Sequence, residues 1–193
     1  MSATINLADI PDFSSVLDSY DGPESAPWLD GWYEGTILET RSFTDKNGND
    51  RVFESGDQPS ASGESRNIKL QVQLKRASDG RELNTSWLVN YKPEALTQAT
   101  VQAIITKQAQ AKEANERVEW GELFGAYMTL QKLGKLQKVA GVRQLQRNSE
   151  GGLQLSPLFG KKAYFRLKDD DRNPIYKQIA DIRVDRPTKA TVL

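Results

Sequence analysis

Cations and flat rings recur together in this chain, in segments whose alternation can set both on one face. Lys161, Lys162, Tyr164, Arg166 and Lys168 fall close together near the C-terminal end. Lys69 and Lys75 alternate with apolar residues in a second segment, and Trp87 and Tyr91 lie in a third. Phe43 and Phe53 flank a polar stretch, while Lys132, Lys135 and Lys138 recur at three-residue steps. A cation can hold a phosphate and a ring can stack on a base, the two contacts a single-stranded nucleic acid requires. Tyr176 is a further ring of this kind. Each basic set alone also suits an ordinary solvated surface, and any one ring also suits a core. Trp87 shares parity with Leu83 and Val89, which points inward. Tyr164 shares parity with Arg166 and Lys168 and is the ring that best fits an exposed platform.

Other chemistries find less support. The chain has no Cys and no His. It therefore lacks a thiolate nucleophile, a Cys-ligated zinc site and the side chain best suited to proton transfer near neutrality. In Asp45-x-Asn47-Gly48-x-Asp50 the Gly falls two places early for a calcium loop and no Glu closes the twelfth position, so a hairpin tip is the better reading. Gly160-Lys161-Lys162 lacks the upstream Gly and the following Ser/Thr of a phosphate loop. Asp169, Asp170 and Asp171 could hold a divalent metal with Asp181 or Asp185, as carboxylate nucleases do. Three consecutive carboxylates diverge, however, and a solvated turn explains them better. The expectation is a non-enzymatic protein with no metal and no cofactor.

Zero net charge hides a division. Residues 1–65 carry thirteen Asp/Glu against three Lys/Arg, and residues 66–193 carry thirteen against twenty-three. A local field attracts its ligand whatever the far end carries, so the longer part is expected to attract a polyanion. Residues 1–34 hold seven acids and no base. Within them Phe13, Val16, Leu17 and Tyr20, following Pro11, have helical spacing. Residues 1–30 are read as an acidic N-terminal extension, either packed on the body or a mobile segment that docks to a partner or to the protein's own basic groove.

The elements that must position these groups follow from periodicity. A first strand is expected over Trp32 to Phe43, then an extended, mobile loop over Thr44 to Asn67. Ile68, Leu70, Val72 and Leu74 alternate with Lys69, Gln71, Gln73 and Lys75, the cleanest strand in the chain. Asp79-Gly80 supplies a hairpin turn into a third strand, Glu82 to Tyr91. A helical insert over 93–141 follows, with one helix in the Ala/Gln-rich run Ala95 to Arg117 and another ending at Gly141. Strands at Lys162 to Lys168 and Ile175 to Val184, joined by a turn at Asp169 to Pro174, complete the order. The fold class expected is α+β, mainly β: a five-stranded OB-like barrel over 31–186, with the helical insert between strands 3 and 4, and a C-terminal tail at 187–193.

The chain resembles phage-encoded single-stranded-DNA-binding proteins of the OB-fold type. The resemblance lies in GWYEGTILE, NIKLQVQL, LGKLQKVAGV and PLFGKKAYFRLKDDDRNPIYKQIADIRV, spanning about Gly31 to Val184. It implies sequence-tolerant binding of single-stranded DNA and recruitment of replication or recombination proteins. Many such proteins end in an acidic tail, whereas here the acidic cluster is at the opposite terminus. The alternative is an interaction or structural module of a phage whose basic face meets an acidic protein. No apolar run reaches the roughly 20 residues that span a bilayer, and no secretory leader is evident, so a cytoplasmic protein without a membrane partner is expected. A strand edge or the Ala/Gln-rich helix could pair two copies into a homo-oligomer.

Overall fold

A computed structural model describes residues 28–45, 47–170 and 177–187. The fold is α+β and mainly β, with antiparallel sheets and two helices. Its strands are β1 (Gly31–Leu38), β2 (Thr40–Thr44), β3 (Asp50–Glu54), β4 (Gly56–Pro59), β5 (Arg66–Lys75), β6 (Glu82–Tyr91), β7 (Lys162–Asp169) and β8 (Lys177–Arg183). The helices are α1 (Gln98–Ala114) and α2 (Phe124–Ala140).

The alternation in β5 organises the main sheet. Ile68, Leu70, Val72 and Leu74 are buried, and β6 pairs along the full length of β5 from Arg66↔Tyr91 to Lys75↔Glu82. The opposite edge of β5 is shared. β1 takes its C-terminal half, from Leu38↔Gln71 to Glu34↔Lys75, and β4 takes its N-terminal half, from Pro59↔Arg66 to Gly56↔Lys69. β7 then pairs β1, and β8 pairs β7. The outermost strands β6 and β8 approach one another, so the sheet curls. Among the described residues they exchange no ladder hydrogen bonds, so what is seen is a curled six-stranded antiparallel sheet, and closure into the expected OB-like barrel is not shown.

The inner face carries Tyr33, Ile37, Val89, Phe165, Leu167 and Ile182, all in one core cluster. Gly35 lies where the sheet is tightest: a Cβ there would stand 2.6 Å from Leu74 and 2.9 Å from Phe165. α2 lies against both β6 and β8 and contributes Leu136, Val139 and Ala140 to the core; Gly141, at φ 72°, caps it as expected. α1 is capped by Thr97, whose hydroxyl accepts from the Thr100 amide at 3.1 Å. Its ragged apolar stripe buries only Ile104.

Two expectations fail in one region. The first strand breaks at Glu39, and the stretch read as a mobile loop contains β3, β4 and the turn that closes β2 onto β3. Its residues build no core, but backbone pairing needs none. β4 borrows the free half of β5, and β2–β3 form a two-stranded ribbon of their own. The hairpin-tip reading of Asp45 to Asp50 holds: the Gly48 amide donates to the Asp45 carbonyl at 2.9 Å, with Gly48 at φ 80°. The expected amphipathic helix after Pro11, the turn residues Asp171 to Pro174, Tyr176 and the tail beyond Pro187 lie outside the described residues.

A buried polar clamp fixes β4. The Asp57 carboxylate, fully enclosed, accepts from Arg66 Nε at 3.0 Å, from the Tyr91 hydroxyl at 2.6 Å and from the Leu153 amide at 2.7 Å. Arg66 also donates to the Asp57 carbonyl at 2.8 Å, over Gly152, where any Cβ would strike the guanidinium. Burial, then the Asp57 carboxylate that accepts its hydrogen bond, pushes the Tyr91 phenol well above the usual tyrosine range. An unfolded tyrosine ionises near pH 10. Below that pH the clamp's contribution is complete, and it declines as pH rises toward the folded value. Tyr33, raised by burial, and Lys177, raised by Asp169 and Asp30, act in the same direction. Asp57→Ala strands the Arg66 charge and is expected to cost about 3–5 kcal/mol in urea unfolding. Tyr91→Phe is expected to cost about 1 kcal/mol at neutral pH and to flatten part of the stability loss above about pH 10.

Candidate nucleic-acid interface

The side chains of β1, β5, β6, β7 and β8 that point away from the core line up in rows fixed by the strand registers. One row runs Glu82, Lys75, Glu34, Tyr164, Arg183 across five strands. The next holds Asn84, Gln73, Thr36 and Lys162, and on the other side of the first lie Trp32, Arg166 and Asp181. Lys69 and Leu88 pair at the β5–β6 end of this face, with Leu88 62% exposed. Lys69, Lys75, Lys162, Tyr164 and Arg166 therefore share the solvent face of one sheet. Lys168 keeps the same parity in β7, beyond the register shift opposite Arg166 and Leu167, and is half-buried. Lys161 is exposed in the turn just before β7.

The ribbon rises from this face. Its strands pair Arg41↔Phe53 and Phe43↔Arg51, which sets two arginines and two rings on one side in a diagonal pattern. The Phe43 and Phe53 rings stack with centroids 5.2 Å apart and planes 9° from parallel. Arg41 and Lys69 stand over the Phe53 ring at 5.1 and 4.5 Å, cation–π contacts that tie ribbon to sheet. Arg41 Nη1 also donates to the Asn84 carbonyl at 2.9 Å. Phe43, 42% exposed, is the ring left open at the outer end. At the tip, the Asp45 carboxylate accepts from the Asn47 and Asn49 amides and from Arg51; backbone donation, from Asn49 first, holds it below the usual carboxylate range.

One serine joins ribbon to sheet. The Ser55 amide donates to the Glu39 carbonyl at 2.7 Å, its hydroxyl donates to the Leu38 carbonyl at 2.6 Å, and that hydroxyl accepts from the Gln71 amide at 2.8 Å. Gln71, on the outer face by parity, is covered by the ribbon's base and fully buried. It accepts from Ser86 Oγ at 3.0 Å and reaches the Glu54 carbonyl at 3.4 Å.

Four of the expected site residues stand elsewhere. Trp87 is 3% exposed and Tyr91 2%; both point inward in β6 and belong to the core, Tyr91 through the Asp57 clamp, so neither can stack on a base. Their parity with Val89 decides the matter. Lys132 and Lys135 belong to α2 rather than to the sheet face, and Lys135 is ion-paired with Asp181. Lys162 pairs with Glu34 at 3.3 Å across the β1–β7 register while remaining exposed. Among the described residues no ion pair engages Lys75, Arg166 or Lys161. Acids sit between the cations, so the face is mixed rather than uniformly positive.

Arg41, Arg51, Leu88 and Arg183 were not anticipated. The alternation Arg41/Phe43 and Arg51/Phe53 about the Asp-x-Asn-Gly tip was the available signal. Arg183 lies 4.9 Å over the Trp32 ring and is readable from the parity of the last strand. No group of three or more acidic residues that could hold a metal occurs among the described residues, and Asp169 is engaged by Lys177 at 2.5 Å. No described helix is long and apolar enough to cross a membrane. No protein-family model, curated protein or solved structure matches the chain.

The two kinds of ring should separate in stability measurements. Trp87→Ala is expected to cost about 3–5 kcal/mol by urea unfolding. Tyr164→Ala and Phe43→Ala, on the exposed face and the ribbon, are each expected to stay within about 1 kcal/mol of the parent.

Proposed function

We propose that this chain is a non-enzymatic, sequence-tolerant single-stranded-DNA-binding protein of the OB type, acting in phage DNA replication or recombination. The observation that carries the reading is the shared solvent face. Lys69, Lys75, Lys162, Tyr164, Arg166 and Arg183 lie on one side of a curled sheet, and the ribbon raises Phe43, Phe53, Arg41 and Arg51 at its end. The strand order β1, β5, β6, helices, β7, β8 also suits an OB arrangement, with the ribbon in the first connection.

On this reading the sheet carries the phosphates and the rings carry the bases. A single strand exposes its bases, and each stack contributes about 1–3 kcal/mol whatever the base, which gives affinity without sequence readout. A duplex hides its bases and keeps only the charge term. The acids among the cations keep the charge contribution modest and give the rings more weight.

Titration of a fluorescent oligonucleotide, as DNA, RNA and duplex, at two salt concentrations tests the reading. Single strands are expected to bind with a salt-dependent affinity and duplex more weakly. Tyr164→Ala is expected to weaken binding by about 1–3 kcal/mol. Lys75→Ala and Arg166→Ala are each expected to lower the log–log salt slope by about 0.7. No affinity and no salt slope would defeat the reading and leave the acidic-protein alternative.

A further inference from the structure

A second basic feature adjoins the ring-bearing face, which it meets at Arg183. The C-terminal half of α2 and the end of β8 enclose a groove of about 350 Å³, walled by Lys135, Lys138, Arg183 and Arg186, with Val184 the exposed apolar residue of its lining and Ile182 buried beneath. Asp185 also lines it, and Asp181 engages Lys135. Four cations thus face two acids. Lys138 and Arg186 have no ion pair among the described residues, and Val184 is exposed. Cationic walls beside an exposed valine fit an acidic segment with an apolar anchor better than a bare polyanion.

We infer that this groove holds the chain's own acidic N-terminal segment, residues 1–27. That segment carries Asp9, Asp12, Asp18, Asp21 and Glu24 and no Lys or Arg, with Ile10, Phe13, Val16 and Leu17 among the acids. It supplies both halves of what the groove lacks: negative charge for Lys138 and Arg186, and an apolar side chain for the exposed Val184. Chain geometry permits the contact. Trp28, where the described chain begins, is anchored on Tyr33 with centroids 4.8 Å apart, and Asp30 pairs with Lys177 at 2.6 Å. Lys177 opens β8, and the groove lies at the other end of that strand, about 23 Å away at roughly 3.3 Å per residue. A segment of 27 residues can extend to about 90 Å, several times the distance needed.

The contact requires no nucleic acid and is tested without one. Because the chain has no Cys, Ser15→Cys in the full-length protein accepts a single nitroxide spin label. Amide signals of Lys138, Ile182, Val184 and Arg186 are expected to broaden, while those of Lys69 and Leu88 on the sheet face stay sharp. Lys138→Glu with Arg186→Glu, both surface changes, is expected to abolish the broadening. Asp12→Asn with Asp18→Asn, which leaves the body untouched, is expected to do the same. High salt is expected to weaken it, since exposed charges are screened within about 10 Å at 0.1 M. Broadening confined to the sheet face, or absent everywhere, overturns the inference. So does broadening that appears only when the label is on a different molecule from the observed amides, because the occupant is then a second copy.

Discussion

Slip β5 by one residue against either neighbour and every side chain on it changes faces. The interface and the core both depend on that register. β5 pairs β6 along its whole length and divides its other edge between β1 and β4, so its alternation propagates through three ladders at once. Ile68, Leu70, Val72 and Leu74 inside leave Lys69, Gln73 and Lys75 outside, and β1 and β7 carry the same parity on to Tyr164 and Arg166. The buried aliphatic row is what makes the slip costly: four apolar side chains would enter water and two lysines would enter the core.

The sequence made this strand legible because one face is wholly apolar. It made Trp87 and Tyr91 ambiguous for a different reason: an aromatic ring reads equally well as core or platform until the strand's parity is weighed against its neighbours. Val89 and Leu83 already held that information. Periodicity identified α2 and its glycine cap, and the ragged stripe of α1 gave fair notice of a helix that buries little. β2 was legible only as a continuation of β1, and β3 and β4 were illegible as strands because they bury no apolar row. Their order comes from backbone ladders, a carboxylate at the tip and a serine at the base, none of which leaves a hydrophobic rhythm. Arg183 alternates with the buried Ile182 and was legible from that pair, whereas the extra residue in β8, between Ile179 and Asp181, breaks the parity of the strand's earlier half.

Polar groups carry more of this structure than its β-rich core implies. The Asp57 clamp joins β4, β5, β6 and the segment around Leu153, where an apolar contact would be less selective among partners. Removing a buried hydrogen-bond partner is costly because the survivor stays dehydrated. Such a clamp therefore fixes which segment sits on the β5 edge more sharply than it adds to total stability. It leaves the outer face of the sheet to be composed for contact with solvent or ligand instead of for cohesion.

The ribbon begins and ends at a single seam, where the Glu39 carbonyl meets the Ser55 amide and β1 gives way to β4 along the same edge. Everything between those two residues is an appendage spliced into an otherwise continuous border. Its length and composition can therefore drift, or be exchanged for another hairpin, without altering the spacing of the strands beneath. The molecule thus separates a chassis of fixed strand spacing from an arm inserted at one seam.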